Sequence, residues 1–321
     1  MSESMRQGRV LVTGASGFIG HHLCRFLKAK GFYVVGVDIN SNQYQKDIDK
    51  FYQLDLKDSS ACFLVTTGMD WVFNLAALNG SIELTTNNKA ELVHNNALIN
   101  LNMAEACHKN KVDRVFFASS ACVYPMDLQG EDEHALTESD VAPANPDTEY
   151  GWEKLFSEHV YLDYAADYGM DVRIARFINI YGTECLIDTL KSKAPMALTR
   201  KVIEAAVGGV VNVWGDGEQR RTFCYIDDLC EGIFKLMLSN VKEPINLGSN
   251  VLVTINQLVE MIARIECKTV NINHQLDKVQ GVRTRQADIS KAKELLDWQP
   301  TTLLADGLHK VNQFVHQELK K

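Results

Sequence analysis

Two residues near the middle of the chain have the types and the spacing of a proton-transfer pair. Tyr150 and Lys154 occur in Tyr-Gly-Trp-Glu-Lys, where a polar loop gives way to a predicted helix that continues to about residue 168. Side chains at this spacing lie on one face of a helix. A lysine ammonium beside a tyrosine favours the phenolate and lowers the pKa of the tyrosine. Such a tyrosine can take the proton of an alcohol while an acceptor takes hydride from the same carbon.

A glycine-rich turn near the N-terminus indicates which acceptor that is. Three glycines follow the apolar run 10–13 at the spacing G-x-x-G-x-x-G, namely Gly14, Gly17 and Gly20. The first allows a tight turn, the second lets the backbone approach a diphosphate, and the third lets a helix pack on the strand. Phe18 and Ile19 lie in that turn, where the helix N-terminus offers unpaired N–H groups to phosphates. The turn therefore predicts a dinucleotide site.

An acidic residue after the second predicted strand selects the dinucleotide. Asp38 lies 18 residues beyond Gly20, at the end of the run 33–38. A carboxylate at this strand end binds both hydroxyls of an adenosine ribose. No Arg or Lys follows Asp38 until Lys46, so no cation is placed to hold a 2′-phosphate. We therefore predict NAD rather than NADP.

The elements that must position these residues alternate strand and helix through the first half of the chain. Strands are predicted at 10–13, 33–38, 52–56, 71–77, 114–124 and 172–177, with long helices at 90–110 and 150–168. Repeated units of this kind build a doubly wound parallel sheet, so the predicted fold class is α/β with a Rossmann sheet. Ligands of such sheets lie beyond the carboxyl ends of the strands. We expect the following residues there: Asp55, Leu56, Ala76, Ala77, Ser119, Ser120 and Cys122.

Beyond residue 177 the alternation loosens, and no linker rich in Pro, Gly or Ser separates the two halves. We expect residues 1–177 to form the NAD-binding domain, which also receives short segments near 211–248. Residues 178–321 are expected to form a smaller, discontinuous and interleaved α/β domain that binds the substrate.

Composition excludes several classes of protein. The 321 residues are 46% hydrophobic and 23% charged, and the net charge of −8 with no basic stripe argues against a nucleic-acid partner. No apolar run has the length of a membrane span. The eight cysteines are scattered without a C-x-x-C pair, so no metal site is predicted. Free thiols are typical of a cytoplasmic protein.

In order along the chain, these motifs resemble the extended short-chain dehydrogenase/reductase superfamily, in its branch of NAD-dependent nucleotide-sugar epimerases and dehydratases. The resemblance covers nearly the whole chain. Within the branch, three segments are most similar to the GDP-mannose 3,5-epimerase family. They are Phe116-Phe-Ala-Ser-Ser-Ala-Cys-Val-Tyr-Pro125, Lys193-Ala-Pro195 followed by Arg200-Lys201, and Gly281-Val-Arg283-x-Arg285.

The resemblance implies an isomerase that oxidises a sugar at C4 transiently with tightly held NAD. Tyr150 then removes the proton of the 4-hydroxyl, Ser120 hydrogen-bonds the same oxygen, and Lys154 binds the nicotinamide ribose. The 4-keto group acidifies the hydrogens at C3 and C5. Cys122 and Lys193 are the expected acid–base pair that inverts those centres.

A nucleotide-diphosphate sugar, most of all a GDP-sugar, is the implied substrate, and a homodimer is the implied assembly. The diphosphate is expected to contact Lys201, Arg221 and Arg283. The sugar pocket is expected to contain Gly80, Ser120, Ala121, Cys122, Asn179, Lys193 and Gln219. The chain departs from the family at Ser192, where glutamate is usual, and in the loop 78–83, which keeps only Gly80 of several glycines.

Two other functions stay open. A 4-epimerase of UDP- or GDP-sugars needs no chemistry at C3 or C5, and Cys122 would then be incidental. A non-catalytic NAD-binding sensor would tend to lack the Tyr150–Lys154 pair, which is intact here. A 4,6-dehydratase is disfavoured because it would need Asp-Glu where the chain has Ala121-Cys122, and an NADPH-dependent epimerase-reductase is disfavoured by Asp38.

Overall fold

The structure is a computed structural model that describes residues 8–41, 43, 45–79, 87–185, 187, 192–278 and 280–321. Its strands are β1 (Arg9–Thr13), β2 (Tyr33–Asp38), β3 (Lys50–Gln53), β4 (Trp71–Asn74), β5 (Arg114–Ser120), β6 (Ala135–Leu136), β7 (Val172–Phe177), β8 (Ile180–Tyr181), β9 (Val210–Trp214), β10 (Arg220–Thr222), β11 (Cys224–Tyr225), β12 (Ile245–Leu247), β13 (Leu252–Thr254), β14 (Asn271–Gln275) and β15 (Thr284–Ala287). Its α-helices are Phe18–Ala29, Ser59–Thr66, Lys89–Lys109, Glu149–Tyr168, Ala194–Glu204, Ile226–Leu238, Ile255–Ile265, Ser290–Leu296 and Leu304–Glu318.

A parallel sheet of seven strands, counted over the described residues, forms the centre of the molecule. Its order is β12-β7-β5-β4-β1-β2-β3, and every neighbouring pair is parallel. Val10 and Val12 of β1 enter one core cluster, whereas Leu11 enters the cluster on the opposite face. This alternation follows from the two-residue period of a strand, and it buries the sheet on both faces under helices. The predicted doubly wound α/β fold is confirmed.

The helix Glu149–Tyr168 is fixed at both ends. Thr148 caps its start by accepting a hydrogen bond from the Gly151 N–H at 3.3 Å, and Gly169 ends it in the left-handed conformation at φ 71°. Tyr150, Lys154 and Ser157 all lie on its buried face. The cap therefore sets where the first-turn tyrosine meets the sheet.

A smaller sheet with the order β13-β10-β15-β6 lies outside the large one. Its strands β10 and β15 are parallel, with Arg221 opposite Arg285. A separate parallel pair joins β9 to β14. No described helix combines the length and the apolar composition that crossing a membrane requires.

Three predicted strands are shorter than expected. The fourth ends at Asn74, so Ala76 and Ala77 lie after it. The third ends at Gln53, so Asp55 and Leu56 lie in the turn after it rather than in the strand. The fifth ends at Ser120 and is followed by a short 3-10 turn, Ala121–Val123. The Ser120 hydroxyl oxygen accepts a hydrogen bond from the Cys122 N–H at 3.2 Å, and this cap turns the chain away from the sheet.

Candidate active site

A cleft of about 1620 Å³ lies across the carboxyl ends of the parallel strands. This volume exceeds the usual range for a single small ligand. Its walls include most of the residues predicted for the cofactor and several predicted for chemistry: Gly14, Gly17, Phe18, Ile19, Gly20, Asp38, Asp55, Leu56, Ala76, Ala77, Ser120, Tyr150, Lys154, Asn179 and Lys193. Most of the residues expected beyond the carboxyl ends of the strands therefore line one cleft.

The glycine turn leaves no room for larger residues. Gly14 has φ +66°, and a Cβ there would lie 3.2 Å from the backbone of Ala76. A Cβ at Gly20 would lie 2.0 Å from the carbonyl oxygen of Gly14, so strand and helix touch at this point. The Ser16 hydroxyl is buried in the same turn without a hydrogen-bond partner. Close backbone and an unmatched donor fit a diphosphate placed at the helix N-terminus.

The second strand presents a buried carboxylate to the cleft. Asp38 is 8% exposed and accepts hydrogen bonds from the N–H groups of Ser16 at 3.0 Å and Asn40 at 2.9 Å. The oxygen that accepts from the Asn40 N–H also accepts from the Asn40 side-chain amide at 3.3 Å, whereas the oxygen that accepts from Ser16 keeps a second lone pair for a ribose hydroxyl. Asp55 lies further along the cleft and accepts from the Lys57 N–H at 2.9 Å.

Tyr150 and Lys154 lie side by side in a nearly dry part of the cleft. The Lys154 ammonium donates to the Ala118 carbonyl at 2.9 Å and lies 5.7 Å from the centre of the Tyr150 ring. The amide of Asn79 donates to the Tyr150 hydroxyl at 3.4 Å. Burial, and then the nearby Cys122 and Glu153, raises the pKa of Tyr150 well above its ordinary value. All of these causes raise the pKa, so the lowering expected from Lys154 is not found in this structure.

A second group of reactive side chains surrounds Cys122. The Arg285 guanidinium donates to the Cys122 sulfur at 3.3 Å and to the Asp147 carboxylate at 2.9 Å. Lys193 interacts electrostatically with the thiols of Cys122 and Cys185. The packed surroundings lower the pKa of Lys193, although its side chain is open to the cleft. Thiol and ammonium are therefore near neighbours, and Tyr150 interacts electrostatically with the same thiol.

Cys122 itself does not line the cleft, and neither do five other described residues predicted to bind substrate, which are Ala121, Lys201, Gln219, Arg221 and Arg283. Lys201 donates to the Asn212 carbonyl at 3.0 Å, and Gln219 donates to Gln280 at 2.9 Å. Arg283 pairs with Asp216 at 2.8 Å and with Glu131 at 3.0 Å. Arg221 donates to backbone carbonyls and lies near Arg285.

The remaining predicted residues divide into three cases. The amide nitrogen of Asn179 is buried at the cleft without a hydrogen-bond partner, which fits a ligand oxygen there. Ala121 is buried in the turn that holds Cys122. Gly80 lies outside the described residues.

Three polar residues of this region have no role assigned from the sequence, and they are Ser16, Asn79 and Arg285. Arg285 stands in the same motif as Arg283, but only the register of β10 with β15 shows which arginine faces Cys122. Ser16 lies between two of the predicted glycines, so its position in the turn was a usable signal. Asn79 lies five residues beyond the end of β4, and only the fold shows that its amide reaches Tyr150.

Comparison with known proteins also indicates an NAD-dependent epimerase or dehydratase. The family described as NAD dependent epimerase/dehydratase matches residues 10–248. GDP-mannose 3,5-epimerase 1 of Oryza sativa subsp. japonica is 39% identical over 316 residues, which cover 98% of this chain and 83% of that protein. GDP-mannose 3,5-epimerase of Arabidopsis thaliana is 38% identical over 317 residues, with coverage of 98% and 83%. The solved structure of UDP-glucuronic acid 4-epimerase from Bacillus cereus, in complex with UDP-glucuronic acid and NAD, is 29% identical with a TM-score of 0.83, covering 97% of this chain and 99% of that one.

The chain belongs to the NAD-dependent epimerase/dehydratase family. It is an enzyme of the isomerase class, and its cofactor is NAD. The resemblance to short-chain dehydrogenase/reductase epimerases is confirmed, and the plant 3,5-epimerases match it at higher identity than the bacterial 4-epimerase structure does.

Proposed function

We propose that this enzyme is a nucleotide-sugar epimerase that acts through a transient 4-keto sugar, at C3 and/or C5 of a GDP-sugar, with GDP-mannose as the first candidate. The observation that carries the proposal is that Cys122 interacts electrostatically with both Tyr150 and Lys193, which line the same cleft. A tyrosine–lysine pair suffices for chemistry at C4 alone. A thiol and an ammonium beside it supply the acid and the base that inversion at neighbouring carbons requires.

The proposed cofactor site extends from the glycine turn to Tyr150. Gly14, Gly17, Gly20 and the helix start at Phe18 and Ile19 hold the diphosphate, and Asp38 holds the adenosine ribose. The adenine lies by Asp55 and Leu56, and Ala76 and Ala77 leave room for the chain of the cofactor. When bound, NAD supplies the reversible hydride acceptor for C4 of the sugar.

Tyr150 moves the proton of the first step. Its hydroxyl oxygen takes the proton of the sugar 4-hydroxyl, while Ser120 hydrogen-bonds that oxygen and holds it in place. Lys154 contributes positive charge beside the tyrosine and binds the nicotinamide ribose. Because burial raises the pKa of Tyr150, this positive charge is needed for the tyrosine to act as a base near neutral pH.

Cys122 and Lys193 exchange protons at the acidified carbons. The lowered pKa of Lys193 brings it closer to working pH, where a group can both take and return a proton. Arg285 stabilises negative charge on the sulfur that it contacts. Return of hydride to C4 then closes the cycle without net oxidation.

The charge around Cys122 supports a diphosphate substrate. Arg221, Arg285 and Lys193 bring three cations to this region, while Asp147 is the carboxylate that interacts with both arginines. Lys201, Gln219 and Arg283 stay predictions as substrate contacts, because each has a protein partner here. Arg283 in particular would have to exchange Asp216 or Glu131 for a phosphate.

We further propose the division into an NAD-binding domain, 1–177 with segments near 211–248, and a substrate domain, 178–321. The position of β12 beside β7 in the large sheet supports this division. A homodimer is proposed through the helix Glu149–Tyr168, whose Trp152 and Phe156 are each 48% exposed one turn apart. A cytoplasmic location stays a prediction.

A 4-epimerase of nucleotide sugars is the second candidate. Cys122 is not part of the cleft wall, and the solved UDP-glucuronic acid 4-epimerase has a similar fold over nearly the whole chain. In that case Tyr150, Lys154 and Ser120 would do all the chemistry.

The test is solvent exchange at the sugar. The purified protein, with its own NAD and no added cofactor, is incubated with GDP-mannose in heavy water, and the sugar is followed by NMR and mass spectrometry. Deuterium at C3 or C5 together with inverted product is the expected result. Exchange should be lost in Cys122→Ala and Lys193→Ala but kept in Cys185→Ala, which removes the other thiol near Lys193. Inversion at C4 without exchange, on any GDP- or UDP-sugar, would establish the 4-epimerase instead.

A further inference from the structure

A buried chain of hydrogen bonds joins the glycine turn to the helix that holds Tyr150. The Thr13 hydroxyl donates to the Asn74 side-chain oxygen at 2.9 Å. The Asn74 amide donates to the Asn100 side-chain oxygen at 2.9 Å, and the Asn100 amide donates to one oxygen of Glu153 at 2.8 Å. Ser157 donates to the same Glu153 oxygen at 2.7 Å. The Asn74 amide also donates to the Tyr161 hydroxyl at 2.9 Å, and the other donors of the chain are directed toward Glu153.

Because two donors are directed at one oxygen of Glu153, the hydrogen-bond pattern favours a negative charge on this carboxylate. The carboxyl group is 3% exposed, and its second oxygen is buried without a hydrogen-bond partner. A buried polar group with an unmatched atom costs free energy, and a charged one costs more unless an opposite charge is near. A chain of donors directed at one acceptor is cooperative and lowers that cost.

Lys154 is the next residue of the same buried helix turn, and its ammonium is the cation on which the charge of Glu153 acts. Glu153 acts on the Lys154 ammonium and on the Tyr150 hydroxyl, both of which are buried. Glu158 also acts on Lys154, but its carboxylate is held by Arg176 of β7 at 2.7 Å. Cys122, from the turn after β5, acts on Tyr150. The helix Lys89–Lys109 presents the neutral Asn100 to Glu153, and Tyr161 adds a neutral phenol.

We propose that Glu153 is a positioning residue whose buried carboxylate keeps Lys154 protonated and sets the pH range in which Tyr150 exchanges its proton. The proposal rests on the proposed roles of Tyr150 and Lys154. Its negative charge opposes ionisation of the tyrosine and favours the ammonium, so both groups titrate at higher pH with Glu153 than without it. Glu153 thereby sets the pH values at which Tyr150 and Lys154 change their protonation state.

The test is a titration of Tyr150 that needs no sugar. In the NAD-loaded enzyme, the absorbance of ionised tyrosine is followed against pH, and the curve of Tyr150→Phe is subtracted to isolate Tyr150. In Glu153→Gln the midpoint should fall by about one pH unit. Glu153→Met, a neutral side chain that needs no hydrogen bond, should give the same fall. Glu153→Asp keeps the charge and should restore the midpoint.

Ser157→Ala is the matched structural control, because it removes a donor to Glu153 but no charge. It should leave the midpoint within about 0.3 unit of the wild type, since neutral partners shift a pKa less than charges do. A folded, NAD-bound Glu153→Gln or Glu153→Met protein with an unchanged midpoint would overturn the proposal. Lack of turnover of GDP-mannose would bear on the proposed function alone, because the titration uses no substrate.

Discussion

Arg221 lies directly opposite Arg285 on the adjacent strands β10 and β15, and both guanidinium groups act on the carboxylate of Asp147. Arg285 is bonded to that carboxylate at 2.9 Å, whereas Arg221 donates to backbone carbonyls. Burial and the neighbouring Arg285 lower the pKa of Arg221 to about 9. The pair therefore carries more positive charge than Asp147 neutralises, and an anionic ligand bound there would relieve the repulsion.

Asp147→Asn should make this repulsion measurable. Breaking a partly buried ion pair leaves an uncompensated charge, so the free energy of unfolding should fall by about 3 kcal/mol. GDP should stabilise the variant more than the wild type, which chemical denaturation with and without GDP would show. Asp216→Asn, which removes an exposed partner of Arg283, should cost under about 1 kcal/mol. Equal stabilisation of the wild type and Asp147→Asn by GDP would contradict the interpretation.

Gly20→Ala should push the helix Phe18–Ala29 away from the end of β1 at the glycine turn. The new methyl group would lie 2.0 Å from the Gly14 carbonyl oxygen, so the backbone has to move. We expect a loss of about 1–3 kcal/mol in the free energy of unfolding and loss of bound NAD. Gly130→Ala is the matched control, since a Cβ there meets nothing within 4 Å. Retention of NAD by Gly20→Ala, measured by extraction and absorbance, would exclude the close contact.

His21 should make the protein less stable in acid. Burial, and then the charge of His22, lowers the pKa of His21 from 6.5 to about 4, so the folded state favours the neutral ring. The associated stability is present above pH 6.5 and is lost as the pH falls toward 4, by about 3 kcal/mol in total. His21→Gln should flatten the curve of unfolding free energy against pH in this window. His309→Gln, at an exposed position of the last helix, should follow the wild type.

Tyr150→Phe should reduce kcat by about 10³-fold, since proton transfer by a positioned side chain contributes about 10²–10⁴-fold. The hydroxyl makes one long bond, 3.4 Å from Asn79, so its removal should leave stability within about 1 kcal/mol. Steady-state rates and thermal unfolding would be measured together. A folded Tyr150→Phe enzyme with full activity would remove the proposed mechanism.

Site residues that belong to contiguous motifs could be predicted from the sequence, whereas residues brought together only by the fold could not. The glycine turn, Asp38 and the Tyr150–Lys154 pair are contiguous patterns next to strongly apolar strands, and all of them line the cleft. The sequence does not show which arginine contacts Cys122 and which contacts the exposed carboxylates. Arg283 and Arg285 share one motif, and their different partners follow from the pairing of β15 with β10, which brings together segments 64 residues apart.

The electrostatics near Tyr150 could not be predicted either. Spacing alone places an ammonium beside the phenol, but it does not show how dry the site is. Tyr150 is 8% exposed and Lys154 is 2% exposed, and burial dominates the pKa of both. The inward-facing Glu153 depends on the helix face that meets Asn100, which is a tertiary contact.

The position of β12 limits how this chain can be divided. The strand comes from the second half of the sequence, yet its residues pair with Ala175, Arg176 and Phe177 along β7. A fragment that stops at residue 177 would contain every other strand of the large sheet but would leave that edge of β7 open. Unpaired edges of this kind promote association between chains. The first half should therefore aggregate when it is expressed alone and become soluble when the second half is co-expressed.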